Sequence, residues 1–180
     1  MVGYVGRLEP EKGLLDLLAA AQLLRERGRS IHLLLVGEGP QRAELERRAA
    51  ADLPGQVHFT GYVPHDQVAP YFLALDVLAL PSRTTPAWKE QFGRVLLEAW
   101  GYGVPVVGSD SGHIPLLIRE TGGGLVFREG DSEDLAERLE ILLRDPERSR
   151  AMAQTAREVV RREYSLERVA ERLCEAISEG

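Results

Sequence analysis

Seven residues separate two carboxylates, Glu90 and Glu98, in EQFGRVLLEA, residues 90 to 99. Glu90 precedes an expected helix start, where backbone amides carry about half a positive charge and hold anions. Either Glu90 neutralises that charge, or the amides near Phe92, Gly93 and Arg94 serve another anion while Glu90 accepts hydrogen bonds from something uncharged. The second reading predicts that Glu90 need not neutralise the helix and that Glu90→Ala costs little stability. Glu98 lies within VLLEAWGYGVPVV, among neighbours of core type. A buried carboxylate needs a partner or a shifted pKa, and a ribose supplies two adjacent hydroxyls for one. The helical rise from Gly93 to Glu98 is roughly 7–8 Å, which with the preceding loop sets the carboxylates about 10–15 Å apart. A diphosphate joining a sugar to a ribose fits that gap. Gly93, without a side chain, admits close approach to the backbone.

Arg7 and Lys12 are the cations to set beside these acids. Read as structure alone, they are a loop arginine and a helix-entry lysine in solvent. A lysine in the first turn of a helix opposes the dipole, so a nearby anion explains it better.

These residues must be positioned by the elements around them, which alternate. Short apolar runs at 2–6, 31–37, 57–61, 77–81, 104–108 and 124–127 read as strands. Helical spacing covers 11–28, with Leu14, Leu17, Leu18, Ala21 and Leu24 on one face. Further helical patterns cover 40–53, 68–76, 92–102, 132–145, 147–163 and 165–178. The alternation predicts right-handed crossovers and a parallel six-stranded, Rossmann-like α/β sheet with helices on both faces. Such sheets bind ligands beyond the carboxyl ends of their strands. Gly6-Arg7, Gly37-Glu38-Gly39, Gly61-Tyr62, Pro81-Ser82 and Gly108 to Gly112 all fall there.

The segments GRLEPEKG (6–13), VGEGP (36–40), VHFTGYVP (57–64) and EQFGRVLLEAWGYGVPVVGSDSG (90–112), in this order, resemble the C-terminal, donor-binding domain of GT-B fold glycosyltransferases of family 4. The resemblance runs from Gly3 to about Phe127. It implies one half of a GT-B fold, spanning 1–180 with C-terminal helices from about 131, and an N-terminal acceptor domain that is absent. It implies a retaining, metal-independent transfer of a sugar to an acceptor hydroxyl, by an enzyme incomplete and inactive as this domain alone. The donor implied is a nucleotide-diphosphate sugar, UDP-linked by preference, with GDP or ADP as alternatives and no prosthetic group. The resemblance assigns Arg7 and Lys12 to the diphosphate, Glu90 to donor-sugar hydroxyls and Glu98 to the ribose. Gly6, Gly37, Gly61, Tyr62, Phe92, Gly93, Arg94 and Val95 complete the implied donor site. The acceptor, a sugar, lipid or other small molecule, is expected on the missing half, which also offers the route to a membrane surface.

Several residues keep two readings. Gly37 and Gly39 are turn residues or phosphate neighbours; Tyr62 stacks on a base or packs; Ser82 and Arg83 have no assignment. His113 stands where the family often has glycine, and Leu116 where it has glutamate. His113 either touches the donor sugar or acceptor, or packs. EGDSED (129–134) reads as a helix start capped by Asp131 or Ser132, and His32, His58, His65 and His113 lack zinc-ligand spacing, so no metal site is expected. Other classes stay open: a nucleotide-sugar epimerase or phosphorylase of GT-B fold, or a non-catalytic nucleotide-binding module. Net charge −6 across 180 residues argues against nucleic acid as partner. Cys174 is the only cysteine, which points to a reducing, cytoplasmic compartment and, in its helical pattern, to packing.

Overall fold

Four near-continuous apolar runs form the centre of a sheet, as burial on both faces requires. A computed structural model of the chain describes residues 1–178. Its strands are β1 (Val2–Val5), β2 (Leu33–Val36), β3 (Val57–Gly61), β4 (Val77–Leu80), β5 (Val106–Ser109) and β6 (Gly124–Phe127). All pair in parallel in the order β3-β2-β1-β4-β5-β6. The expected six-stranded α/β sheet is what the chain forms.

The helices are α1 (Leu14–Glu26), α2 (Arg42–Asp52), α3 (Ala69–Leu73), α4 (Arg94–Gly101), α5 (Ile114–Thr121), α6 (Ser132–Arg144), α7 (Pro146–Glu163) and α8 (Leu166–Ser178). The strand order reverses direction between β1 and β4, so right-handed crossovers send α1 and α2 to one face and α4 and α5 to the other. In agreement, α1 packs on α2 and α6, whereas α4 and α5 pack on α7. All five apolar residues of the α1 stripe are buried.

Local chemistry moves several expected boundaries. Residues 10–12 form a 3₁₀ turn ended by Gly13, and α1 begins only at Leu14. Lys12 is therefore outside the first α-helical turn, and the dipole argument for it does not apply. Residues 68–76 shrink to α3, preceded by a 3₁₀ turn at His65–Gln67. The segment after GSDSG, left without an element on sequence, forms α5 with a proline in its first turn. Asp131 caps α6, accepting from the Glu133 and Asp134 amides at 3.1 and 3.0 Å. Cys174 is exposed, so the packing expected for it is not found.

Candidate functional site

Strand order places the crevice. At the β1–β4 reversal the carboxyl ends of β1, β2 and β3 and the start of α4 enclose a cleft of about 360 Å³. Val5, Gly6 and Arg7 leave β1; Val36, Gly37 and Glu38 leave β2; Tyr62 and Val63 follow β3; Arg94, Val95 and Glu98 come from α4. Seven expected site residues, Gly6, Arg7, Gly37, Tyr62, Arg94, Val95 and Glu98, thus meet in one hollow. Gly61 flanks it, its carbonyl accepting the Gly37 N–H at 3.0 Å. Gly37 must be glycine for backbone reasons: its φ is +139°, and a Cβ there would collide with the Gly6 carbonyl. It therefore holds two loops together as well as lining the cleft.

The cations and acids divide into two groups. Lys12 and Glu90 do not line this cleft; they pair with each other at 2.9 Å, their side chains 15% and 13% exposed. The same Glu90 oxygen, Oε2, accepts from Ser82 Oγ at 3.1 Å, while Oε1 accepts from the Gly93 N–H at 3.3 Å. The expectation that Glu90 leaves the helix start alone is corrected here. Its carboxylate does cap α4, because Gly93 is the residue before the helix and its amide has no helical acceptor. The Gly93 amide is accordingly engaged rather than kept for a ligand. Glu90 is also fixed through its backbone: its carbonyl accepts the His113 N–H at 3.1 Å. Gly112, at φ +56°, lies so close to that carbonyl that a Cβ would collide with it.

At the other end, Glu98 is not buried without a partner, as its sequence neighbourhood suggested. Its side chain is 22% exposed and accepts from Arg94 Nε at 3.1 Å, four residues earlier on α4. Arg94 and Arg7 are 74% and 70% exposed, and Arg7 pairs with Glu9 at 3.3 Å. Arg7's main chain is held more firmly than its side chain: the buried Tyr4 hydroxyl donates to its carbonyl at 2.7 Å. Burial, and then the Glu90 charge, push the Tyr4 phenol well above its ordinary pKa. Phe92 lies outside the cleft lining and stacks on His113, ring centres 6.1 Å apart.

Sequence reasoning missed His65 in the cleft and Trp88 beside Lys12. Ser82 and Glu38 were signalled by their place at strand exits. Trp88 had no periodicity to mark it. Among the described residues no three His, Cys, Asp or Glu side chains gather as a metal set.

The model of the family described as "Glycosyl transferases group 1" matches residues 1–159. An alpha-D-kanosaminyltransferase of Streptomyces kanamyceticus is 32% identical over 174 residues, 96% of this chain and 44% of that protein. A GDP-mannose-dependent alpha-(1-6)-phosphatidylinositol monomannoside mannosyltransferase of Mycobacterium tuberculosis is 34% identical over 95% of this chain and 45% of its own length. The crystal structure of Anabaena HepE in complex with UDP superposes with a TM-score of 0.86 at 26% identity, over 99% of this chain and 48% of that one. The chain spans less than half the length of each of these proteins.

Proposed function

The chain belongs to the glycosyl transferases group 1 family, and from that membership we propose that it is the nucleotide-sugar-binding domain of a glycosyltransferase. In this reading it is the C-terminal half of the enzyme, catalysis is retaining and needs no metal ion, and the acceptor site lies on an N-terminal domain. The uncovered half of each relative supports a second domain. The acceptor is a sugar or a lipid, the latter in line with the phosphatidylinositol mannoside in the mycobacterial relative's name. UDP-sugar is the preferred donor because HepE binds UDP; GDP-sugar is the second candidate because that relative is named for GDP-mannose. The lone cysteine keeps the cytoplasm as the proposed compartment.

The observation that carries this reading is the Lys12–Glu90 pair, held at 2.9 Å and mostly buried at the carboxyl edge of the sheet. An ammonium has three N–H donors, and Glu90 accepts one of them. What remains can meet a phosphate oxygen whose negative charge grows as the glycosidic bond breaks, a preorganised electrostatic contribution. Arg7, exposed at the cleft, adds the second cation, and Glu98 takes the ribose hydroxyls beside Val95 and the Tyr62–Val63 backbone. Glu90 keeps a further role toward the donor sugar through its lone pairs, two oxygens accepting from more than one donor.

Thermal unfolding of the chain with UDP-, GDP- and ADP-sugars tests the reading. A ligand at a hundred times its Kd adds about 2.7 kcal/mol of apparent stability. One nucleotide should raise Tm, and Lys12→Ala should remove most of that rise. If no nucleotide or nucleotide-sugar moves Tm, the reading is wrong.

A further inference from the structure

The loop from Arg83 to Lys89 has no regular structure and, Trp88 apart, an exposed course, yet it is fastened to three other parts of the fold. The Arg83 N–H donates to the Glu11 carbonyl at 2.7 Å. The Arg83 guanidinium grips both oxygens of Asp16, a buried acid in the first turn of α1, at 2.7 and 2.5 Å. Thr84 gives its N–H and hydroxyl to the two oxygens of Glu129, at 2.7 and 2.8 Å. Glu129 is itself tied by its N–H to Asp110 at 2.8 Å. Thr85 and Trp88 then exchange N–H···O bonds of 2.7 and 3.2 Å, closing a tight turn over Pro86 and Ala87. The turn sets the Trp88 ring against the Lys12 ammonium, 4.3 Å from nitrogen to ring centre.

That distance is well inside the range of a cation–π contact, and tryptophan is the strongest aromatic partner. A leucine or methionine would cover an apolar surface equally well, but the surface covered here is a charge. Lysine's four-carbon stem is flexible, and its ammonium is a strongly hydrated point charge. With Glu90 on one side and the indole on another, one ammonium orientation is selected and water is excluded from two sides. From this geometry we infer that Trp88 is a positioning residue for Lys12, and that the braced loop exists to hold the indole there. The inference rests on the donor-diphosphate reading of Lys12 and names what fixes that lysine before donor arrives.

Lys12 and Lys89 are the only lysines of the chain, which makes the test direct. In a lysine-labelled NMR spectrum of the chain, with Lys89→Arg to assign the signals, the Lys12 ε-methylene should carry an upfield ring-current shift. Trp88→Leu should abolish it. Calorimetry with UDP and UMP should then show UDP affinity falling about five- to thirtyfold in Trp88→Leu, in line with cation–π contacts shielded from water. UMP affinity should fall less, and Trp88→Phe should restore part of the loss. The deciding measurement is the double-mutant cycle: on a Lys12→Met background, Trp88→Leu should cost nothing further in UDP affinity. Equal losses with and without the Lys12 ammonium would make Trp88 a general packing residue and overturn the inference. So would an unshifted Lys12 signal. Should Trp88→Leu fail to fold, Trp88→Phe runs the same cycle with a smaller coupling. A wild-type chain that binds none of UDP, GDP or ADP would overturn the donor reading as well, whereas binding with no coupling defeats only the role of Trp88.

Discussion

Around Lys12 and Glu90 the charges are paired at 2.9 Å, largely shielded from water, and braced by a serine, a backbone amide and an indole. Around Arg7, Arg94 and Glu98 the ion pairs join neighbours in sequence, and both arginines lie mostly in solvent. The first region has its geometry without a ligand; the second leaves its cations in solvent. Charge stabilisation is strongest from groups that need not reorganise during reaction, so a fixed ammonium belongs near a breaking bond. Side chains at a binding end can settle when the ligand arrives, at a cost of about 0.5–1.5 kcal/mol each in lost rotamer freedom. In the proposed reading the contrast puts the diphosphate charge at the braced end and the nucleoside at the exposed one.

Breaking the fixed end should have the largest effect. Lys12→Ala removes the only cation hydrogen-bonded to Glu90 among the described residues. Turnover of the complete transferase should fall about 10²–10³-fold, the range for removing one preorganised donor to a developing charge. Steady-state kinetics at saturating donor checks it; a change confined to KM would return Lys12 to simple binding. Glu90→Ala should also abolish transfer, and it should destabilise the fold by about 1–2 kcal/mol because a helix-capping acceptor is lost with it. Urea unfolding measures that second effect. An unchanged midpoint would mean the cap at Gly93 contributes nothing.

The exposed end should lose affinity while keeping stability. An exposed pair spaced four residues apart on a helix is worth about 0.3–0.5 kcal/mol, so Glu98→Ala should leave Tm nearly unchanged. UDP affinity should fall about tenfold or more, as a bidentate acceptor of ribose hydroxyls disappears. A 2′,3′-dideoxy analogue of UDP sharpens this: wild type and Glu98→Ala should bind it alike. If the analogue still prefers the wild type, Glu98 acts through Arg94 and not through the ribose.

The two regions were not equally legible in the sequence. The cleft was, because its members sit at strand exits, and a near-continuous apolar strand announces its own carboxyl end. Glu98 lines the cleft, but its surroundings differ from the expected ones: VLLEAW looks buried, yet helical periodicity turns Glu98 outward beside Arg94 while Leu96, Ala99 and Trp100 fill the core. The fixed region was half hidden. Lys12 and Glu90 are 78 residues apart, and no local pattern says that they touch. Gly13 ends the 3₁₀ turn at Lys12 before α1 starts, so the dipole argument for that lysine has no basis in the fold. SRTTPAWKEQ carried no periodicity at all, since its order comes from Asp16 and Glu129, contacts made across the fold. Chemistry placed by secondary structure can be read in advance; chemistry placed by a braced loop emerges only in three dimensions.

Tyr4 sits beneath both regions and offers the smallest but sharpest test of how they are joined. Its hydroxyl donates to the Arg7 carbonyl at 2.7 Å, and the Glu90 charge acts on it. Near neutral pH, Tyr4→Phe loses that one hydrogen bond, a cost of about 1 kcal/mol. At alkaline pH the order should reverse. Burial holds the folded phenol neutral, while in the unfolded chain it ionises near its ordinary value of about 10. Above that pH the unfolded state binds fewer protons than the folded one, so folding stability falls as pH rises. The slope approaches about 1.4 kcal/mol per pH unit for one such group. Phenylalanine at this position has nothing to ionise, and the remaining tyrosines contribute equally to both proteins. The two stability curves, measured by urea unfolding from pH 7 to 11.5, should therefore converge and cross at about pH 10.7, where the accumulated linkage term equals the lost hydrogen bond. Parallel curves would mean the phenol ionises in the folded state, and that the floor under Arg7 and Glu90 is open to water.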